Sequence, residues 1–457
     1  MRKIAPDQLD LVPAPILHVH AAELHKMSSV LDAIPEAAEL VGADLARRGD
    51  KAIDMSKGRE GMTAEQVLRA FVVKQMNGYS YEELAFHLAD SCTYRSFCRF
   101  GIAEKPPTKS RLQKNIKRVQ ADTWAAINRK LVLHAAVNGI EAGRKVRIDA
   151  TVVESNIHAP TDSSLLWDCV RVLARLQREA REDFCVSFND HSRRAKRRTM
   201  AILNARTTEQ RLAPYRDLLH VTNKTVKSAE RVAAELDQVE PVDIVALMRA
   251  GALAQELRRY VELAKRVISQ TQRRVLRDES VPAAEKLVSI FEPHTDIIVK
   301  DRRETLYGHK IYLTAGASGL VTDVVIEKGN PADVTLAVKM IERQRELYGR
   351  APRQASFDGG FTSQSNLATI KGLGVEDVAF SKGRGLSVTE MVKSTWVYRR
   401  LRDFRAGIEG TISFLKRAFG LDCCTWSGLG SFKSYVCGSV LACNLLMVAR
   451  HLLAASN

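Results

Sequence analysis

The sequence changes texture twice, and those two changes restrict the possible folds more than any other feature. Lys145-Val146-Arg147-Ile148-Asp149-Ala150-Thr151-Val152-Val153 alternates and is rich in β-branched residues, as a half-buried strand should be. Residues 165 to about 290 then carry Leu, Ala and Val at three- and four-residue spacing, interrupted only by Pro214, Pro241 and Pro282, which is helical patterning. Strand texture resumes after Pro293, at 296–300, 307–314 and 320–326. A helix over 333–348, a short strand at 354–358, a helix over 363–371 and a strand at 377–380 follow, and helices run from about Asp403 onward. A helical stretch of this length is too long for a loop and must fold as a unit. The expectation is an α/β domain, a mixed sheet flanked by helices, interrupted by a long all-α insertion.

The segment before the first strand is helical in pattern. Thr63 and Gln66 have capping-box spacing and precede the stripe Val67, Ala70, Phe71. After Asn77-Gly78-Tyr79, Ser80 and Glu83 repeat the spacing ahead of Leu84 and Leu88, so two short helices joined by a glycine turn are expected. Ser110 with Gln113 predicts a third cap, following Pro106 and Pro107. That third helix buries Leu112, Ile116 and Val119 and loads its other faces with Lys109, Arg111, Lys114, Lys117 and Arg118, without an acid among them. The expected division is a helical DNA-binding region at 1–140, a catalytic domain at 141–164 and 291–457, and an inserted helical domain at 165–290.

Composition narrows the partner. Sixty-nine Lys and Arg against 53 Asp and Glu leave a formal charge of +16, an excess that in a protein of this size points to a polyanion. Cations that neutralise phosphates release counterions, giving affinity that is independent of base sequence and weakens with salt. The helix above and the run Arg193-Arg194-Ala195-Lys196-Arg197-Arg198 are the densest basic segments, so Lys114, Lys117, Arg118, Arg194 and Arg197 are candidate DNA contacts. No uninterrupted run of eighteen apolar residues occurs, the first thirty residues do not resemble a signal peptide, and no membrane association is expected. The eight cysteines include no CxxC pair and no zinc spacing, and are expected reduced and packed.

Three acids stand out by placement. Asp149 lies inside the first strand, Asp358 ends a later one immediately before Gly359-Gly360, and Glu409 falls on a helix beyond the last strand. Arg405 precedes Glu409 by one helical turn and Lys416 follows it by about two, which puts all three on one side of that helix. Carboxylates gathered at one end of a sheet suit hard cations, and a metal pair can activate an attacking oxygen while stabilising a leaving one. Taken singly, each acid is more often a turn residue, a satisfied polar group or an ion-pair partner, and only the combination is specific. Lys382 and Arg384 in a glycine-rich loop, and His309 and Lys310 on a strand, are secondary candidates for contacting DNA. Trp426 is expected to be a packing residue.

The segments Asp149-Ala150-Thr151-Val152-Val153, Tyr307-Gly308-His309-Lys310 and Phe357-Asp358-Gly359-Gly360-Phe361, followed by the helix from Phe404 to Gly420, resemble bacterial insertion-sequence DDE transposases in their order. Within that family the chain is similar to members with a Tyr-Arg-Glu-Lys signature. Arg405, Glu409 and Lys416 stand at the signature's spacing, whereas Arg402 occupies the tyrosine position. The resemblance implies a ribonuclease-H-like core in which Asp149, Asp358 and Glu409 hold two Mg²⁺ ions, with Mn²⁺ as a substitute. It also implies DNA as substrate at transposon ends and target, Arg405 and Lys416 facing its phosphates, a homodimer joining two ends, and a location in the bacterial cytoplasm at the nucleoid. Two alternatives stay open at this level: a nuclease of the same fold without strand transfer, and a catalytically inactive DNA-binding relic.

Overall fold

A computed structural model describes residues 18–48, 51–52, 61–101, 104–239, 243–300 and 304–456. It opens with α1 (Val19–Asp32) and α2 (Glu36–Leu45), the latter starting just after Pro35, and a two-stranded ribbon of β1 (Arg47–Arg48) and β2 (Lys51–Ala52). Pro6, Pro13 and Pro15 lie outside the described residues. The helices α3 (Ala64–Asn77), α4 (Tyr81–Asp90), α5 (Cys92–Phe97), α6 (Lys109–Ile116) and α7 (Ala121–Val137) complete this all-α part. Both expected capping boxes form: Thr63 with Gln66 starts α3, and Ser80 with Glu83 starts α4. The third does not. Thr108, not Ser110, caps α6 by accepting from the Arg111 amide, so the helix begins as soon as the chain leaves Pro106-Pro107.

Strand β3 (Lys145–Ser155) runs two residues further than its alternation suggests and includes Glu154, which the pattern places past its end. The inserted helices follow: α8 (Asp162–Phe184), α9 (Ser192–Asn204), α10 (Thr208–Asp237) and α11 (Ile244–Thr271), closed by one π-helical turn at 272–276. Pro214 sits inside α10, in its second turn, and does not end the helix. Leu166, Leu173, Leu218, Ala229, Leu257 and Val267 build an apolar core for these helices, joined by Val186, Leu287 and Ile290 from the connecting segments.

The chain then returns to the sheet with β4 (Asp296–Lys300), β5 (Glu304–Ala315) and β6 (Val321–Ile326). Next come α12 (Ala337–Tyr348), β7 (Gln354–Phe357), α13 (Gln364–Gly372), β8 (Asp377–Phe380), α14 (Val388–Met391) and α15 (Thr395–Phe419). A short β9 (Cys423–Cys424) precedes α16 (Leu429–Ser456). Helix α15 starts eight residues before the expected Asp403, because Ser394 caps it from the Val397 amide. β5 pairs antiparallel with β3 on one side and with β4 and β6 along its other edge, while β7 and β8 continue the sheet parallel to β3. β3 is therefore the central strand. α12 and α13 cover one face, around Ile148, Phe357 and Phe380. α15, α16 and the helices of the first part cover the other, around Leu313, Ile408 and Phe71.

Helix α16 is the most apolar of the described helices. Leu429–Ala455 is long and apolar enough to cross a membrane by length and composition, although Ser, Asn, Lys433 and glycines break its apolar run. In the structure 67% of its most apolar window is buried. Its side chains pack between the helical first part and the sheet, stacking Gly438 against Phe71, which in turn stacks on Trp124. Cysteines 98, 169, 424 and 443 are buried as expected, while Cys92 and Cys185 are exposed.

Candidate active site

Register brings the first two acids together. Ile148 of β3 lies beside Phe357 of β7 in the parallel pairing, so Asp149 and Asp358 occupy the next position on neighbouring strands. One further strand over, Phe357 pairs with Phe380, which sets Ser381 beside Asp358, and the Ser381 hydroxyl donates to Asp358 Oδ1 at 3.0 Å. The glycines after Asp358 reflect crowding. A Cβ at Gly360 would lie 2.5 Å from Asp333 Oδ2, and one at Gly359 would press on the Lys382 side chain.

Helix α15 crosses this end of the sheet and is pinned twice. Ser356 Oγ donates to the Leu401 carbonyl at 3.0 Å, and Arg147 Nη1 donates to the Phe404 carbonyl at 3.1 Å. The Phe404 ring lies against Arg147 and Lys145, at 4.9 and 4.2 Å. Gly407 makes the approach possible, since a Cβ there would sit 2.0 Å from Arg147 Nη1.

This placement points Arg405 at all three acids. Its Nη1 lies 3.3 Å from Asp149 Oδ2 and 3.4 Å from Asp358 Oδ1, and its Nη2 lies 2.9 Å from Glu409 Oε1. The Asp149 and Arg405 side chains are largely buried, at 16% and 17% exposure, whereas Glu409 at 65% opens to solvent. Burial pushes the Asp149 carboxyl up to about 6; the neighbouring Asp358 and Glu409 charges add to the rise, and the Ala150 amide and Arg405 oppose it.

The donor set, three carboxylates converging on one cation, is what a hard divalent ion requires. Among the described residues, no group of three His, Cys, Asp or Glu side chains is close enough to hold a metal as it stands, because the acids contact the guanidinium rather than one another. Arg405 stands where the three carboxylates meet.

The other candidates are distributed unevenly. Lys382 is exposed beside Asp358, and its carbonyl accepts from Thr362 Oγ1. Lys416 pairs with Asp422 at 3.3 Å rather than with the acids. Lys310 points to the opposite face of β5 from His309 and pairs with Asp333 at 3.0 Å. His309 is 2% exposed, bonded to His294 at 2.7 Å and Asp296 at 3.0 Å, and so does not present its ring to solvent. Lys114 and Lys117 are exposed on or beside α6, with Lys117 over the buried Trp426 ring, while Arg118 donates to the Arg47 carbonyl. Arg194 pairs with Asp217 at 2.5 Å, and Arg197 projects from the same helix. Apart from Lys382, these basic residues are not brought to the carboxylates.

Arg147 and Ser381 were missed by the sequence reading. Strand alternation carried a signal for the first, two positions before Asp149 and on its face. Ser381 follows a strand just as Asp358 does, which only the β7–β8 register turns into a contact.

Residues 19–118 match the family described as Transposase domain (DUF772), and residues 299–445 match Transposase DDE domain. The second match spans Asp358 and Glu409 and begins after Asp149 and the inserted helices. Neither a curated protein nor a solved structure matches the chain. Two stretches of the chain are thus similar to a transposase domain and to a transposase DDE domain, a likeness that supports an insertion-sequence transposase of the DDE type.

Proposed function

We propose that the protein cuts phosphodiesters at transposon ends by metal-assisted hydrolysis and joins the freed 3′-OH to target DNA, using Asp149, Asp358 and Glu409. The observation that carries this is the convergence of those three carboxylates on Arg405. The run β6-β5-β3-β7-β8, antiparallel on one side of the central strand and parallel on the other, supports a ribonuclease-H-like core at 141–164 and 291–457. Residues 1–140 are assigned to DNA binding and 165–290 to a helical insertion.

Asp149, Asp358 and Glu409 would hold two Mg²⁺ ions, or Mn²⁺ in their place. When bound, such ions supply Lewis-acid polarisation of the phosphate and an ionised attacking oxygen. The chain's own residues do the rest. Ser381 fixes the Asp358 carboxylate, and the Arg147 contact sets how deeply α15 sits on the sheet. Arg405, released from the acids, and the exposed Lys382 orient the scissile strand as cations. Lys416, Lys310, Lys114, Lys117, Arg118, Arg194 and Arg197 extend the backbone contacts. His309 acts only through the residues it holds. A homodimer would bring two ends together.

The test is incubation with labelled terminal inverted repeats, a target plasmid and Mg²⁺. Joined product is expected, and Asp149→Asn, Asp358→Asn or Glu409→Gln should each reduce it by on the order of 10³-fold. Cleavage without joining would leave only a nuclease, and activity indifferent to all three substitutions would defeat the site.

A further inference from the structure

A cavity of about 700 Å³ lies where the insertion meets the sheet, away from the carboxylates. Arg266 of α11 and Lys286 contribute from the insertion side, Lys328 from the turn after β6, and Lys433 from α16. None of these four side chains has a hydrogen-bonded or ion-pair partner among the described residues. The two acids in the same wall are already engaged: Asp296 holds His309, and Glu327 holds Lys339. Two further polar groups are unsatisfied. Thr295 is 7% exposed, and its Oγ1 has no partner, nor has the buried Oδ1 of Asn330. Buried polar atoms without partners are costly. The four unpaired cations and the orphaned Thr295 hydroxyl suit an anion, and the orphaned Asn330 Oδ1 suits a donor group carried beside it.

The location identifies the anion's class. His309 pairs with Val153, four residues along β3 from Asp149 and on the same face of the sheet. Four residues of strand span about 13 Å, a distance that a nucleic-acid strand lying in the carboxylate site would cover. We propose that this cavity binds a nucleotide phosphate, with the lysines and Arg266 around the phosphate oxygens and Thr295 and Asn330 bonding the sugar or base. The assignment of a strand as its source rests on the function proposed above. It gives the insertion a task, since one wall of the cavity belongs to it.

The test is binding without divalent metal, by fluorescence anisotropy for a labelled oligonucleotide, duplex and single-stranded, and by calorimetry for deoxyadenosine monophosphate. K328A/K433A should weaken oligonucleotide binding about tenfold and lower its salt slope by about one unit per lost phosphate contact, with thermal stability unchanged. Weakening of the mononucleotide as well would show a site for nucleotides free or in a strand; weakening of the oligonucleotide alone would assign it to the strand. Thr295→Val removes the orphaned hydroxyl and should weaken binding while leaving Tm equal or higher. Wild-type affinity in K328A/K433A, or a fall in Tm that accounts for the loss in Thr295→Val, would overturn the proposal. A protein that binds DNA through these lysines yet never joins ends would sink the transposase reading and leave the cavity assignment standing.

Discussion

Asp149 is held in a setting that favours its protonated form. Its folded value of about 6 exceeds the ordinary 3.8, so folding favours the acid. The resulting stability is fully present below about pH 4 and is lost as pH rises through 6. An amide in place of this carboxyl cannot ionise and would keep that stability at every pH. Asp149→Asn is therefore expected to be more stable than the wild type by about 2 kcal/mol at pH 8 and equal to it at pH 4, measured by denaturant unfolding without metal. Arg405 supplies a second prediction. It neutralises three carboxylates at once, so Arg405→Gln should bind Mn²⁺ about tenfold more tightly by electron paramagnetic resonance while losing DNA cleavage. Weaker Mn²⁺ binding would mean that the guanidinium organises the acids rather than competing for them. At this scale the sequence was informative about identity and silent about company. Glu409 and Arg405 are one turn apart in any helix, but nothing in the chain says that Asp149 meets them. That follows from the Ile148–Phe357 register.

Among the elements, strands were legible where a short apolar run stands alone, as at 296–300 and 377–380. Helix starts were legible only where a single capping residue was available: Thr63 and Ser80 stand alone, whereas Thr108 and Ser110 compete two residues apart. The beginning of α15 was obscured because its buried stripe, Val397, Leu401, Ile408, Thr411 and Leu415, is sparse among arginines. Gly308 shows what a pattern alone cannot reveal. A Cβ there would lie 2.1 Å from the Val153 carbonyl oxygen and 2.6 Å from Glu154 Cα, both backbone atoms that cannot turn aside. Gly308→Ala should pry β5 from β3 at the end where β4 also pairs, costing about 1–3 kcal/mol. Hydrogen exchange should show faster exchange across 152–155 and 307–310, and unchanged protection there would refute the steric argument.

For the molecule as a whole, the apolar cores divide the chain differently from its order. The insertion packs around Leu166, Leu218 and Leu257, while the first helices, α15 and α16 share one core around Phe71 and Trp124. Two calorimetric transitions are expected. Leu257→Ala should lower one and Trp124→Ala the other, each by about 3 kcal/mol. A single transition shifted by both would mean that the cores unfold together. That the inserted stretch folds as helices was legible from its periodicity; that α16 binds the first part to the sheet was not, because an apolar helix carries no mark of what covers it.

The central pairing of the sheet joins β3 to β5 across the entire insertion, Glu154 opposite Gly308. Asp296, where the chain re-enters, pairs with that same Gly308, so the insertion leaves and returns two strand spacings apart, about 10 Å. For a flexible chain, closing so long a loop carries a substantial entropic cost and slows the formation of contacts remote in sequence. An insertion that has already condensed into its own bundle presents both ends to the sheet as if joined by a short tether. The expected order of folding follows from this: the bundle condenses first, and the strand bearing Asp149 pairs with β5 afterwards, which pulsed hydrogen exchange would show as earlier protection in α8–α11 than in β3.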